Sequence, residues 1–221
     1  MPRIRVRGFF NQIMKNTASD ITKRLFNRHY KQKKIDPKLP DARFRSAVAR
    51  YFLKGRSLDL GAGDGRHVLF LASKGYEVVA VDFSRVAANH LRKHVRNQGD
   101  VKNVQVKIAD IRETIPSVFS NIYTNYTLHF LPKTEWMKVI RKMQKQTCPG
   151  GVNLIEDFSE SPSGNVPKKG YAYIQSKDLQ DLYKAWDVLR SSPLKVKTMV
   201  PNGRGGFRKA ESFFFVARKP R

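Results

Sequence analysis

Residues 58–84 read LDLGAGDGRHVLFLASKGYEVVAVDFS, and the order of apolar, glycine and acidic positions in them decides the fold. Ser57–Leu60 reads as a short apolar strand that runs into Gly61-Ala62-Gly63-Asp64-Gly65. A helix follows, with Val68, Leu69, Leu71 and Ala72 on its apolar side, and Gly75 ends it. Glu77–Val81 reads as a second buried strand and stops at Asp82. Strand, glycine turn, helix, strand and terminal acid make one half of a doubly wound α/β sheet. Such sheets bind ligands outside the carboxyl ends of their strands.

The residues of the turn narrow the ligand. A dinucleotide fingerprint wants glycine at its first, third and sixth positions, and here the sixth is Arg66. Asp59 precedes the first glycine and Asp64 lies inside the turn, so a pyrophosphate brought here would be repelled. Two carboxylates suit a cationic ligand, such as one with an ammonium and a sulfonium. Glycines at 61 and 63 let the backbone approach it closely. Asp82 is placed to accept from both hydroxyls of a ribose. Together these features describe S-adenosylmethionine better than a phosphate cofactor.

Leu58–Ser84 resembles the first two motifs of class I S-adenosylmethionine-dependent methyltransferases. The likeness continues through Val104–Asp110 as a third strand and Ile122–Leu131 as a fourth strand with a helix start. Cys148-Pro149-Gly150-Gly151 followed by Val152–Asp157 resembles the turn and fifth strand. Tyr173–Trp186 and Ser212–Lys219 are similar to a late helix and a closing strand. Within that superfamily the chain resembles the tellurite-resistance methyltransferases over roughly residues 44–219. The resemblance implies a seven-stranded, mostly parallel Rossmann-like sheet with helices on both faces. It implies a domain over 41–221 behind a basic helical extension over 1–40. It further implies that Asp59, Gly61, Ala62, Gly63, Gly65, Asp82, Phe83, Asp110, Ile111 and Asn125 line the cofactor site, with Asp110 facing the adenine amino group. One departure is visible. The family carries a His/Arg-rich segment before the last strand, whereas residues 200–209 here read VPNGRGGFRK and lack the histidine. Arg204 and Arg208 are the cations this stretch offers to a substrate.

Candidates for the chemistry lie after the fourth and fifth strands. Tyr126 and His129 follow Asn125 where methyl transfer occurs in this fold, His129 as a base or as a packed helix-start residue. Glu156 and Asp157 end the fifth strand, either orienting a substrate or capping the sheet edge. The loop Asn125-Tyr126-Thr127-Leu128 has no proline, so it lacks the Asn/Asp-Pro-Pro-aromatic pattern of amino-methylating nucleic-acid enzymes. Cys148 precedes its proline and lies outside that loop, which argues against a cysteine nucleophile. As the sole cysteine it also excludes an internal disulfide or a multi-cysteine zinc site, and no metal is expected.

The 221 residues carry 43 Lys+Arg against 18 Asp+Glu, a net charge of +25. The excess sits in two flanks: residues 1–56 have a net charge of +13 and residues 190–221 a net charge of +8. Such flanks attract RNA or another polyanion, or serve as a solvated face. Met14, Ile21, Leu25 and Phe26 recur at helical spacing, with Lys23, Arg24 and Arg28 on other faces. This amphipathic helix could dock on its own domain, on RNA or on a membrane surface. Pro37 and Pro40 end it, and a second helix from Asp41 carries Phe44, Val48, Tyr51 and Phe52 as its stripe. At 40% hydrophobic residues the chain is too apolar for a disordered polycation, and no apolar run reaches the roughly 20 residues of a bilayer span. A cytoplasmic setting is expected, with an organellar one as the alternative because the first residues are basic.

Three functions follow. The first is a methyltransferase for a small-molecule acceptor. The second is a methyltransferase that grips RNA or a ribonucleoprotein through its flanks, with Phe9, Phe10, Phe26, Tyr30, Phe44, Tyr51 and Phe52 as candidate stacking residues. The third is a nucleic-acid-binding protein whose methyltransferase fold no longer catalyses, and the intact Gly61–Gly65 turn with Asp82 argues against it.

Overall fold

The computed structural model describes residues 18–32, 39–98, 102–113, 116–160, 172–201 and 207–221. The elements run α1 (Ala18–Gln32), α2 (Ala42–Tyr51), β1 (Arg56–Leu60), α3 (Arg66–Ser73), β2 (Glu77–Asp82), α4 (Arg85–Asn97), β3 (Val104–Ile108) and β4 (Phe119–Asn125). A 3-10 turn (Leu128–Phe130), α5 (Lys133–Gln146), β5 (Thr147–Phe158), α6 (Ser176–Leu182), β6 (Asp187–Pro201) and β7 (Phe207–Arg218) complete them. The sheet order is β3-β2-β1-β4-β5-β7-β6. Strands β1 to β5 pair in parallel, and β7 lies antiparallel between β5 and β6. The expected seven-stranded, mostly parallel sheet is present.

Each strand feeds two cores because helices cover both faces. Val79, Val81, Ile122, Ile155 and Phe215 point toward Trp136, Ile140 and Met143 of α5 and Tyr183 after α6. Their neighbours Val78, Ala80, Tyr123, Leu154 and Phe214 point toward Phe44 of α2, Val68 and Leu71 of α3 and Leu91 of α4. Alternation on a pleated strand sends adjacent residues to opposite faces. Near-continuous apolar runs such as Val78–Val81 therefore result. In the second core the His67 ring lies 4.3 Å from Phe44, and burial holds it neutral, its pKa pushed down to about 3.

The chain travels outward from β1 to β2 and β3, then returns to place β4 on the other side of β1. That reversal opens a crevice at the carboxyl ends of β1 and β4, the place where such sheets bind ligands.

Three sequence readings shift. The late helix expected over 173–186 is confined to Ser176–Leu182, because the chain turns at Tyr183–Trp186 into the long edge strand β6. The Cys148–Gly151 turn is absorbed into β5, with Gly150 at φ 76° and its N–H donating to the Lys219 carbonyl. Leu25, placed on the apolar stripe of α1, is 49% exposed. Thr22, Phe26, Asn27, His29 and Tyr30 are the less exposed residues of that helix. Met14 lies outside the described residues, as does the Ile21 side chain.

Candidate active site

The turn after β1 is held by its own amides. Gly61 N and Ala62 N both donate to the Val81 carbonyl, at 2.8 and 3.0 Å. Gly63 N donates to Asp82 Oδ2 at 2.8 Å, and Gly65 N to the Ala62 carbonyl at 2.9 Å. A phosphate cradle needs unspent N–H groups. Here four are committed to protein acceptors, so the turn presents carboxylates rather than amides to a ligand. Positive φ at Gly61 (84°), Gly63 (53°) and Gly65 (81°) lets the chain make this path.

Asp82 is buried at the end of β2, and its second oxygen accepts from Ser84 N at 2.7 Å. Burial raises its pKa, and the Ser84 and Gly63 N–H groups only partly offset that. Each carboxylate oxygen makes one such bond, which leaves acceptor capacity for the two hydroxyls of a ribose. Asp59 is 1% exposed, and its Oδ2 has no hydrogen-bond partner. The Tyr123 hydroxyl acts on it from beyond regular hydrogen-bond reach. Burial pushes the Asp59 carboxyl up to about 8, and the charges of Asp82 and Asp64 add to this. An orphaned buried carboxyl beside two further carboxylates fits a ligand that brings positive charge of its own. The ammonium and sulfonium of S-adenosylmethionine meet that demand. Ala62 is buried in the turn, Phe83 is half-buried behind Asp82, and Ile111 packs against the core.

Asp110 arrives close to the same end of the sheet, two residues beyond β3, but it is engaged. Arg112 donates to it from its backbone N at 2.9 Å, from Nε at 2.9 Å and from a terminal nitrogen at 2.6 Å. Burial pushes Asp110 up, and these Arg112 contacts outweigh it and hold the carboxyl below its usual range. An adenine amino group would share this carboxylate with Arg112.

Across the crevice, β4 ends in Asn125 and Tyr126. Tyr126 has φ 49°, the only positive value among the described non-glycine residues. Its hydroxyl donates to Glu156 Oε1 at 2.8 Å and lies 3.2 Å from Ser212 Oγ on β7. Asn125 donates to Glu156 Oε2 at 3.0 Å, and Arg43 from α2 reaches Oε1 at 3.2 Å. Glu156 is fully buried. Burial and the charge of Asp41 raise its pKa against the pull of Tyr126 and Arg43. Burial and Glu156 in turn keep the proton on Tyr126. Tyr126 therefore presents its hydroxyl as a donor to Glu156.

Asp157 points to the opposite side of β5 and binds the next turn. It accepts from Leu128 N at 2.8 Å, His129 N at 3.3 Å and Phe158 N at 2.8 Å, and its Oδ1 lies 2.5 Å from His129 Nδ1. Both side chains are buried. Consecutive acids on one strand thus serve two separate clusters. Arg204 and the Arg208 side chain lie outside the described residues.

With this geometry in place, the chain can be compared with known proteins. The family described as tellurite resistance protein TehB matches residues 23–194. The chain belongs to the TehB family. Over 133 residues it is 27% identical to the probable S-adenosyl-L-methionine-dependent methyltransferase TehB of Haemophilus influenzae, covering 60% of this chain and 46% of that protein. Over 138 residues it is 29% identical to Hemagglutinin 1 of Eikenella corrodens, covering 61% and 45%. It thus spans less than half the length of the curated relatives it matches. The solved TehB structure from Haemophilus influenzae superposes with TM-score 0.72 at 22% identity, over 88% of this chain and 65% of that one. A glycopeptide N-methyltransferase complexed with sinefungin superposes with TM-score 0.62 at 15% identity, over 86% and 90%. These structures bear on the fold.

The TehB match begins inside α1, and α1 packs over the crevice. Its Asn27 Oδ1 accepts from the Ser84 hydroxyl at 2.7 Å, and Phe26 contacts Phe83 and Phe130. Sequence reasoning assigned no site role to Asn27, Arg43 or Ser212. Asn27 sits one residue from Phe26 on a helix whose face was misjudged by Leu25. Arg43 and Ser212 carry no local signal, because their partners, Glu156 for Arg43 and Tyr126 for Ser212, are more than fifty residues away in sequence.

Proposed function

We propose that this chain is an S-adenosylmethionine-dependent methyltransferase acting on a small-molecule acceptor. The observation that carries the reading is the committed-amide turn ringed by Asp59, Asp64 and Asp82, which suits a cationic nucleoside and not a pyrophosphate. Membership of the TehB family and the names of its relatives support it, among them a phosphoethanolamine N-methyltransferase of Arabidopsis thaliana, 32% identical over 51% of this chain and 23% of that protein.

When bound, S-adenosylmethionine would supply an electrophilic methyl on a sulfonium, which the acceptor takes in line as the methyl–sulfur bond breaks and S-adenosylhomocysteine leaves as a neutral thioether. The protein has to align the two and exclude water. Asp82 would hold the ribose hydroxyls, and Asp59 and Asp64 would favour the positive end of the cofactor. Tyr126, Asn125, Glu156 and Arg43 make a hydrogen-bonded floor for the acceptor at the ends of β4 and β5. An acceptor that loses a proton can pass it to His129 at Nε2, because Asp157 engages Nδ1. A soft nucleophile needs no such step.

The RNA-directed alternative leans on the basic flanks. Of the aromatic residues it would use, Phe44 is fully buried and Phe26 packs against Phe83 and Phe130. Calorimetry with S-adenosylmethionine tests the cofactor, with binding expected for the native chain and lost in Asp82→Ala. A labelled-methyl transfer assay on fractionated extract tests the acceptor. Label entering RNA instead of small molecules would reverse the choice between the two readings.

A further inference from the structure

Helix α1 is tied to the crevice at three successive points. Ser84 caps α4 by accepting from Ala87 N, and its hydroxyl donates to Asn27, so its hydrogen-bonding orientation is set by α1. Ser84 N also holds Asp82, which joins α1 to the acidic end of β2 through one residue. Phe26 has its ring centre 6.0 Å from that of Phe83 beyond β2 and 5.0 Å, edge-on, from that of Phe130 beyond β4. The helix therefore bridges the two sides of the crevice. One turn further on, Tyr30 brings its hydroxyl against the open face of Gly63, where a Cβ would stand 2.6 Å from the phenol oxygen.

The surroundings of that phenol define what it can do. Burial and the charges of Asp82, Asp64 and Asp59 raise its pKa, with only Arg66 opposing, so it keeps its proton. It makes no hydrogen bond to a described residue. The Asp82 and Asp64 carboxylates near it offer acceptors to a ligand, and a ligand with oxygens of its own needs donors. S-adenosylmethionine has such oxygens in its ribose and its carboxylate. Since the turn amides are spent, the Tyr30 hydroxyl is an unspent donor at this spot.

We propose that α1 is the roof of the cofactor site and that Tyr30 is a cofactor-contacting residue, its hydroxyl donating to an oxygen of the bound nucleoside. The inference rests on the cofactor reading above. It assigns the basic helix to ligand binding within its own domain.

The test is calorimetry with S-adenosylmethionine and S-adenosylhomocysteine on the native chain, Tyr30→Phe and Asn27→Ala, with hydrogen exchange of α1 followed in parallel. Tyr30→Phe should weaken both ligands about tenfold, the size of one net hydrogen bond, with the unfolding midpoint unchanged. Asn27→Ala should also weaken them by releasing the helix. Either ligand should slow exchange across α1. Undiminished binding by both variants, with α1 exchange indifferent to ligand, overturns the inference and leaves the cofactor reading standing. No binding by the native chain overturns both.

Discussion

Tyr126 and Glu156 are joined twice: the Tyr126 hydroxyl donates to the Glu156 carboxylate at 2.8 Å, and the Tyr126 backbone N donates to the Glu156 carbonyl at 2.8 Å. The second bond holds the chain as it leaves β4, and the first closes the loop over a fully buried acid. A left-handed residue in this position costs energy that the two bonds offset. Tyr126→Phe leaves Glu156 short of one donor in a dry setting. It should lower stability by about 1–3 kcal/mol, read as a shift of the urea midpoint at constant slope.

Asp59 should make cofactor binding depend on pH. Its carboxyl, raised to about 8 from an ordinary 3.8, holds a proton in the folded, ligand-free chain that the unfolded chain has already lost. The folded state therefore binds more protons between those values. Stability should fall as pH rises through that window, by at most ~1.4 kcal/mol per unit. A cationic ligand favours the ionised form, so its affinity should rise with pH up to about 8 and then level. Asp59→Asn should flatten both profiles. Calorimetric affinities at pH 6 to 9, in buffers of differing ionisation heat, also count the proton released; equal slopes in both proteins would show that Asp59 is not the group.

Gly61 cannot accept a side chain. Its φ is 84°, and an added Cβ would run into the Thr127 side chain, whose hydroxyl donates to the Asn125 carbonyl at 3.1 Å. Gly61→Ala should therefore cost about 1–2 kcal/mol for the backbone alone. It should also disturb the Asn125–Thr127 loop across the crevice. Cofactor affinity should drop more than stability does, which calorimetry and thermal melting together would resolve.

Asp157 holds three backbone N–H groups and one imidazole nitrogen in the interior. Asp157→Ala orphans all four and should destabilise the protein by ~3 kcal/mol or more. His129→Gln removes one partner and should cost less. If His129 also accepts a proton from the acceptor, His129→Gln lowers kcat while leaving cofactor affinity intact. An unaltered pH–rate profile in that variant would restrict His129 to a packing role.

Much of the fold can be read locally, because the Leu58–Ser84 run carries its own periodicity and its own punctuation. The unbroken apolar run Val78–Val81 requires a strand buried on both faces, and Gly61, Gly63 and Gly65 require a turn. Asp59 and Asp82 were legible for the same reason: each sits at a strand end set by that pattern. Leu25 misled because an apolar residue on a short amphipathic helix does not say which face docks. The 173–186 segment misled because edge strand β6 is specified by its pairing with β7, a long-range contact.

The sequence by itself determined a doubly wound sheet, the place of its crevice and the sign of charge that a ligand must bring. Those follow from residue spacing and from chemical type. Only the tertiary structure decided that the turn amides are spent on Val81 and Asp82. It alone set Glu156 and Asp157 to different clusters, bound Asp110 to Arg112 and laid α1 across the crevice. Each of these depends on which distant groups meet in a space without water, where an unsatisfied donor or charge costs most.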